Sequence, residues 1–198
     1  MKYRFLALAG ASMLLALTGT GAMASPFDFL TLGAQNDPNG PSYTVDGRPK
    51  VSSIPRETVN YSGPGAPGTV IISARERRLY FVLPNGQAVK YGVGVGRPGF
   101  EWSGTKTVTN KKEWPSWTPP AQMLKRRPDL PRHMAGGPEN PLGARAMYLG
   151  SSLYRIHGSN EPDTIGQAVS SGCIRMTNED VTDLFERVKV GTRVTVLR

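Results

Sequence analysis

The chain has 198 residues, a formal net charge of +9, one cysteine, two histidines and three tryptophans. A single cysteine excludes an internal disulfide framework, and with only His133 and His157 beside it a structural zinc site is excluded as well, so no metal is expected. The basic residues are scattered, with small clusters only at Arg75-Glu76-Arg77-Arg78 and Lys125-Arg126-Arg127 and no interleaved aromatics; they read as solvated surface suited to acidic partners, not to nucleic acid.

The first residues follow the three-part plan of a secretory signal. Lys2 and Arg4 supply a positive start, Phe5 to Leu17 is apolar, and Ala22-Met23-Ala24 offers small residues for cleavage after Ala24. The apolar run is well short of the roughly 20 residues that span a bilayer, so residues 1–24 are expected to be removed and no stable membrane insertion is expected. Residues 25–68 hold seven prolines and six glycines, ending in Ser62-Gly63-Pro64-Gly65-Ala66-Pro67-Gly68. That composition predicts a tail or linker, with only Ile54, Val59 and Tyr61 able to dock a short piece of it on a domain.

The folded domain is predicted over residues 69–198. Thr69 to Ile72, Arg78 to Leu83 and Ala88 to Val95 are short β-type runs, the last two joined by Pro84-Asn85-Gly86, and together predict an antiparallel meander. Residues 96–145 are rich in Pro, Gly and Trp without sustained periodicity, which predicts a long irregular insertion able to cover a site. Two further strands are predicted at 146–149 and 153–156. Thr177, with Asp180 three residues on, predicts a helix start; Val181, Leu184, Phe185 and Val188 then share one face. Gly191 ends the helix and Arg193 to Leu197 forms a last strand. The fold class is therefore mainly β, a sandwich- or barrel-like domain with one or two helices packed on the sheet and a lid-like insertion.

The chemistry concentrates in Tyr154-Arg155-Ile156-His157-Gly158-Ser159 and Ser170-Ser171-Gly172-Cys173-Ile174-Arg175-Met176. His157 ends a predicted strand and Cys173 precedes a predicted helix, both positions that present reactive side chains. Taken alone, an unpaired Cys is a small buried hydrophobe and a lone His a structural one. Together they form a nucleophile and its base, because an imidazole can take the proton that a thiol of pKa about 8.5 otherwise keeps. Arg175 and the following helix N-terminus are expected to lower the thiol pKa further. Gly172 opens the approach to the sulfur, and the Gly172 and Cys173 amides are candidates for an oxyanion hole.

The His-Gly-Ser-Asn, Ser-x-Gly-Cys-Ile-Arg-Met and Asn-Glu-Asp-Val segments, supported by Tyr91 to Gly96, Trp114 to Pro120 and Asn140 to Ala144, closely resemble the L,D-transpeptidase catalytic domain family (YkuD-type fold), Gram-negative type, from about residue 69 to the C-terminus. The resemblance implies Cys173 as nucleophile and His157 as proton donor and acceptor, with the Gly158 carbonyl orienting the ring. Gly172, Ser171 and Arg175 fall in the active-site loop; Ser171 stands where many members have His. It implies a periplasmic enzyme that needs no cofactor and acts on peptidoglycan stem peptides, releasing D-Ala from a tetrapeptide and passing the acyl group to an amine. The amine belongs either to another stem, giving a 3–3 cross-link, or to a protein that becomes anchored to the wall. A stem-peptide hydrolase and a non-catalytic wall-binding module are the alternatives. Trp117, Trp114 and Tyr154, with Trp102, are candidates to line the peptide groove, and Arg145 or Arg155 to pair with a substrate carboxylate. His133 is expected at the surface.

Overall fold

The computed structural model of the protein describes residues 54–198; the expected signal segment, residues 1–24, and the expected tail up to residue 53 lie outside them. The strands are β1 (Glu57–Asn60), β2 (Val70–Ser73), β3 (Arg78–Leu83), β4 (Gln87–Gly92), β5 (Val95–Gly96), β6 (Gly104–Glu113), β7 (Arg145–Leu149), β8 (Arg155–His157), β9 (Ala168–Ser170), β10 (Ile174–Arg175) and β11 (Arg193–Leu197), with helices α1 (Ala121–Arg126) and α2 (Asn178–Arg187). Nine strands make one curled mixed sheet in the order β1-β4-β3-β2-β11-β6-β7-β8-β10, and β5 pairs with β9 beside it. The pairs β11–β2, β10–β8 and β5–β9 are parallel; the rest are antiparallel.

The expected meander is β2-β3-β4. Its second turn uses Asn85 (φ 61°) and Gly86 (φ 68°) in the left-handed region that Asn-Gly tolerates. Val70, Ile72, Leu79, Tyr91, Met147, Ile156 and Val194 alternate inward and meet Val181, Leu184 and Phe185 of α2, all in one buried cluster. The Thr177 hydroxyl accepts the Asp180 amide at 3.1 Å, satisfying a free donor at the start of α2.

Residues 57–60, in the short piece around Ile54 to Tyr61 able to dock on the domain, add an edge strand to β4. Two details depart from the sequence reading. The run 88–95 is not one strand: β4 stops at Gly92, and Gly94 exchanges two backbone hydrogen bonds with Arg175, each 2.9 Å. A Cβ on Gly94 would stand 2.9 Å from the Thr164 carbonyl oxygen, so only glycine permits that approach. The stretch 96–145 is not irregular throughout, for 104–113 is the longest strand here. Its sequence, Gly-Thr-Lys-Thr-Val-Thr-Asn-Lys-Lys-Glu, buries only Val108 fully and so lacks the apolar alternation that marks a half-buried strand.

Candidate active site

Parallel pairing of β8 with β10 sets the site. Ile156 lies opposite Ile174 and His157 opposite Arg175, so the residue just ahead of β10, Cys173, falls beside Arg155. His157 and Cys173 line the same cavity of ≈ 370 Å³. One wall carries Ser152 to Arg155, His157, Ser170, Ser171, Cys173 and Arg175; the other carries Trp117, Met123, Arg126 and Leu142. That second wall is held by a small cluster of its own, Trp117, Leu130 and Leu142.

His157 is 5% exposed, and its Nδ1 lies 2.5 Å from the Gly158 carbonyl oxygen. A carbonyl can only accept, so Nδ1 carries the proton and Nε2 is left as the ring's acceptor. Burial, reinforced by the Arg175 charge, holds the His157 pKa far below its ordinary 6.5, at about 3. Burial also pushes the Cys173 thiol up, against the pull of the Arg155 guanidinium and amide and of Arg175. The two groups therefore rest as neutral thiol and neutral imidazole. The sequence expectation of a thiol lowered by Arg175 fails because removal from water outweighs that charge.

A single hydroxyl clamps the loop before the sulfur. Ser170 Oγ accepts the Gly172 amide at 3.1 Å and donates to the Cys173 carbonyl at 2.6 Å. Of the two amides considered for an oxyanion hole, that of Gly172 is thereby committed, which leaves the amide of Cys173. Gly172 has φ +104°, and a Cβ there would lie 2.5 Å from Tyr154 Cε1. Gly172→Ala is accordingly expected to lower stability by about 1–3 kcal/mol and to displace Tyr154, checked by urea melts and near-ultraviolet circular dichroism.

Trp102, far away in sequence, braces the same loop. Its Nε1 donates to the Gly172 carbonyl at 2.8 Å, and its ring stacks on Tyr154 with centroids 4.8 Å apart and planes at 4°. Arg175, 3% exposed, pairs with Glu161 at 3.2 Å and donates to Thr164 Oγ1 at 3.3 Å, pinning the 3₁₀ turn Pro162–Thr164 to β10. Ser171 lines the cavity and accepts from Arg97 at 3.3 Å.

The structure thus gathers Cys173, His157, Gly158, Gly172, Ser171, Arg175, Trp117 and Tyr154 about one place. It does not bring Trp114, which is 44% exposed at φ 38° and lies off the cavity, its amide turned to the Ala144 carbonyl at 2.8 Å. Arg145 also points elsewhere, paired with Glu113 at 3.1 Å. His133 is exposed beside Thr118. Among the described residues, no group of three His, Cys, Asp or Glu side chains is placed to hold a metal, and no helix is long and apolar enough to cross a membrane.

Residues 67–196 match the family model described as L,D-transpeptidase catalytic domain (YkuD). A probable L,D-transpeptidase ErfK/SrfK of Escherichia coli is 40% identical over 137 residues, which is 65% of this chain and 43% of that protein. The chain spans less than half the length of the curated relatives that resemble it first. Among solved structures, an L,D-transpeptidase from Mycobacterium smegmatis superposes with a TM-score of 0.54 at 16% identity, covering 66% of this chain and 58% of that one. A Brucella melitensis protein solved as a probable carnitine operon oxidoreductase is 43% identical with a TM-score of 0.50, covering 74% of this chain and 95% of that one.

Proposed function

From the chain's membership of the L,D-transpeptidase catalytic domain family, we propose that it is an exported cysteine transpeptidase acting on peptidoglycan stem peptides in the periplasm. The observation that carries this reading is the shared cavity of Cys173 and His157, with Nδ1 of the imidazole engaged by Gly158. Export is supported by the three-part start of the chain.

In the first half-reaction Cys173 Sγ attacks the carbonyl between the third residue of a tetrapeptide stem and its terminal D-Ala, while the thiol proton passes to His157 Nε2. The oxyanion forms against the Cys173 amide. Collapse breaks the amide bond, and the departing D-Ala amine takes the proton back from Nε2, leaving a thioester on sulfur. An acceptor amine then attacks the thioester, its surplus proton moving through Nε2 to the released thiolate. A new amide and the free thiol result, without ATP. A starting pair in neutral form suits this sequence, because the base is unprotonated when the thiol must give up its proton. The wall formed by Trp117, Met123 and Leu142 supports selection of an amine over water by narrowing solvent access.

The test is incubation with a disaccharide-tetrapeptide, followed by chromatography and mass spectrometry. Release of D-Ala with formation of 3–3 dimers, or of a stem-linked protein when a protein amine is supplied, is expected. Trimmed tripeptide alone makes it a hydrolase, and an intact stem with an unreactive thiol makes it a binding module.

A further inference from the structure

The cavity is cationic. Among the described residues, Arg126, Arg155 and Arg175 line it and no Asp or Glu does. The three arginines are not equally engaged. Arg175 is buried and already holds Glu161 and Thr164. Arg126 lies on the far wall, on exposed α1, with its guanidinium 5.5 Å from the Phe100 ring centroid.

Arg155 is different in two respects. Its Nη1 donates to the Leu153 carbonyl at 3.2 Å and its guanidinium lies 5.1 Å from the Tyr148 ring centroid, yet its buried Nε has no hydrogen-bond partner among the described residues. A buried N–H of a charged group left unmade is costly, so its position beside a reactive sulfur calls for a functional explanation. It also stands beside the sulfur. The same Leu153 carbonyl that Arg155 holds lies 3.7 Å from Cys173 Sγ, so sulfur and guanidinium flank one oxygen atom.

A donor whose scissile carbonyl sits on Sγ places its next residue about 3.8 Å further along the chain. In a tetrapeptide stem that residue is terminal and carries a free carboxylate. A planar guanidinium beside the sulfur is matched to such a carboxylate by charge and geometry. We propose that Arg155 selects donor stems that end one residue beyond the scissile bond, by pairing with the free carboxylate of the departing residue. This proposal rests on the transpeptidase reading above.

A stem extended by a further residue, or capped as an amide, offers a neutral amide where the guanidinium seeks a charge. Such donors bury the cation without its counter-ion and are rejected. Arg155 then acts as a specificity residue for the leaving group, in addition to its guanidinium's pull on the thiol.

The experiment compares two synthetic donors with the purified full chain, a tetrapeptide stem ending in D-Ala and the same stem ending in D-alaninamide. The wild-type protein is expected to favour the free acid in kcat/KM by about ten- to a hundredfold, as the loss of one charged hydrogen-bond pair dictates. Arg155→Gln should bring that ratio close to one, with the acid losing far more than the amide; any loss common to both donors reports the guanidinium's pull on the thiol. Arg155→Lys, which keeps the charge without the planar fork, should restore part of it. If Arg155 serves only the thiol or the fold, both donors decline by the same factor and the ratio persists, which overturns the proposal. A wild-type ratio near one overturns it too. Failure of the transpeptidase reading looks different, since neither donor then releases its terminal residue and no thioester forms on Cys173 of the wild-type protein.

Discussion

Replacing Cys173 by alanine is expected to abolish acyl transfer, with D-Ala release falling by at least about a thousandfold and no mass adduct remaining after exposure to a carbapenem. The argument is chemical before it is structural. The chain has no other thiol. The serine hydroxyls lining the cavity are engaged elsewhere: Ser170 Oγ with the Gly172 amide and the Cys173 carbonyl, Ser152 Oγ with the Leu149 carbonyl, and Ser171 Oγ with Arg97. An alcohol in its place would start from a pKa several units above that of a thiol, and the neutral His157 is too weak a base to remove such a proton. Folding should survive the change. The hydrogen bond of the sulfur to the Leu153 carbonyl is a long one, 3.7 Å, so little is lost with it. The alanine variant should therefore melt within about 1 kcal/mol of the parent. A carbapenem adduct on any residue of the variant, or retained D-Ala release, would remove Cys173 from the role of nucleophile.

The parts of this site that could be read in the sequence are those in which chemistry is confined to a few adjacent residues. His157-Gly158 at a strand end and Gly172-Cys173 ahead of a capped helix announce themselves by local pattern, and the fold sets both on one cavity. The meander and α2 were legible for a similar reason: alternation, an Asn-Gly turn and a capping hydroxyl are local signals. Residues that act across the fold leave no such mark. Trp102 reaches Gly172 from seventy positions away, and in the sequence it is one of three tryptophans in a Pro/Gly-rich stretch. Trp114, one of the tryptophans expected to line the peptide groove, is exposed off the cavity instead. Arg155 gains its place beside the sulfur only through the parallel register of β8 and β10, which depends on a connection of sixteen residues that no periodicity describes. Electrostatics was the least legible. Sequence lists the charges near the thiol, but the sign of its shift is decided by burial, which exists only once the sheet has closed.

That decision by burial makes the second large effect testable, through His157. His157→Gln keeps a polar side chain beside Gly158 but no basic nitrogen, and its kcat should fall by about a hundred- to ten-thousandfold. The pH behaviour then separates a neutral pair from a preformed ion pair. An ion pair would alkylate rapidly with iodoacetamide from mildly acidic pH upward. A neutral pair alkylates appreciably only above the ordinary thiol range, because the fold raises the Cys173 pKa. The acid side follows from His157. In the folded chain its ring stays neutral down to about pH 3, while in the unfolded chain it takes up a proton near its ordinary 6.5. Between those values the unfolded state holds the extra proton, so stability falls as pH falls, by up to about 1.4 kcal/mol per pH unit from this group. Catalysis should therefore keep its base in acid, and loss of activity there should coincide with unfolding, not with titration of the base. In His157→Gln this contribution disappears, and its melting curve should be flatter between pH 6.5 and 3 than that of the parent. Equal acid sensitivity in the two proteins, or fast alkylation of the parent at pH 5, would mean that the imidazole is charged at rest and that the thiol is activated by ion pairing instead.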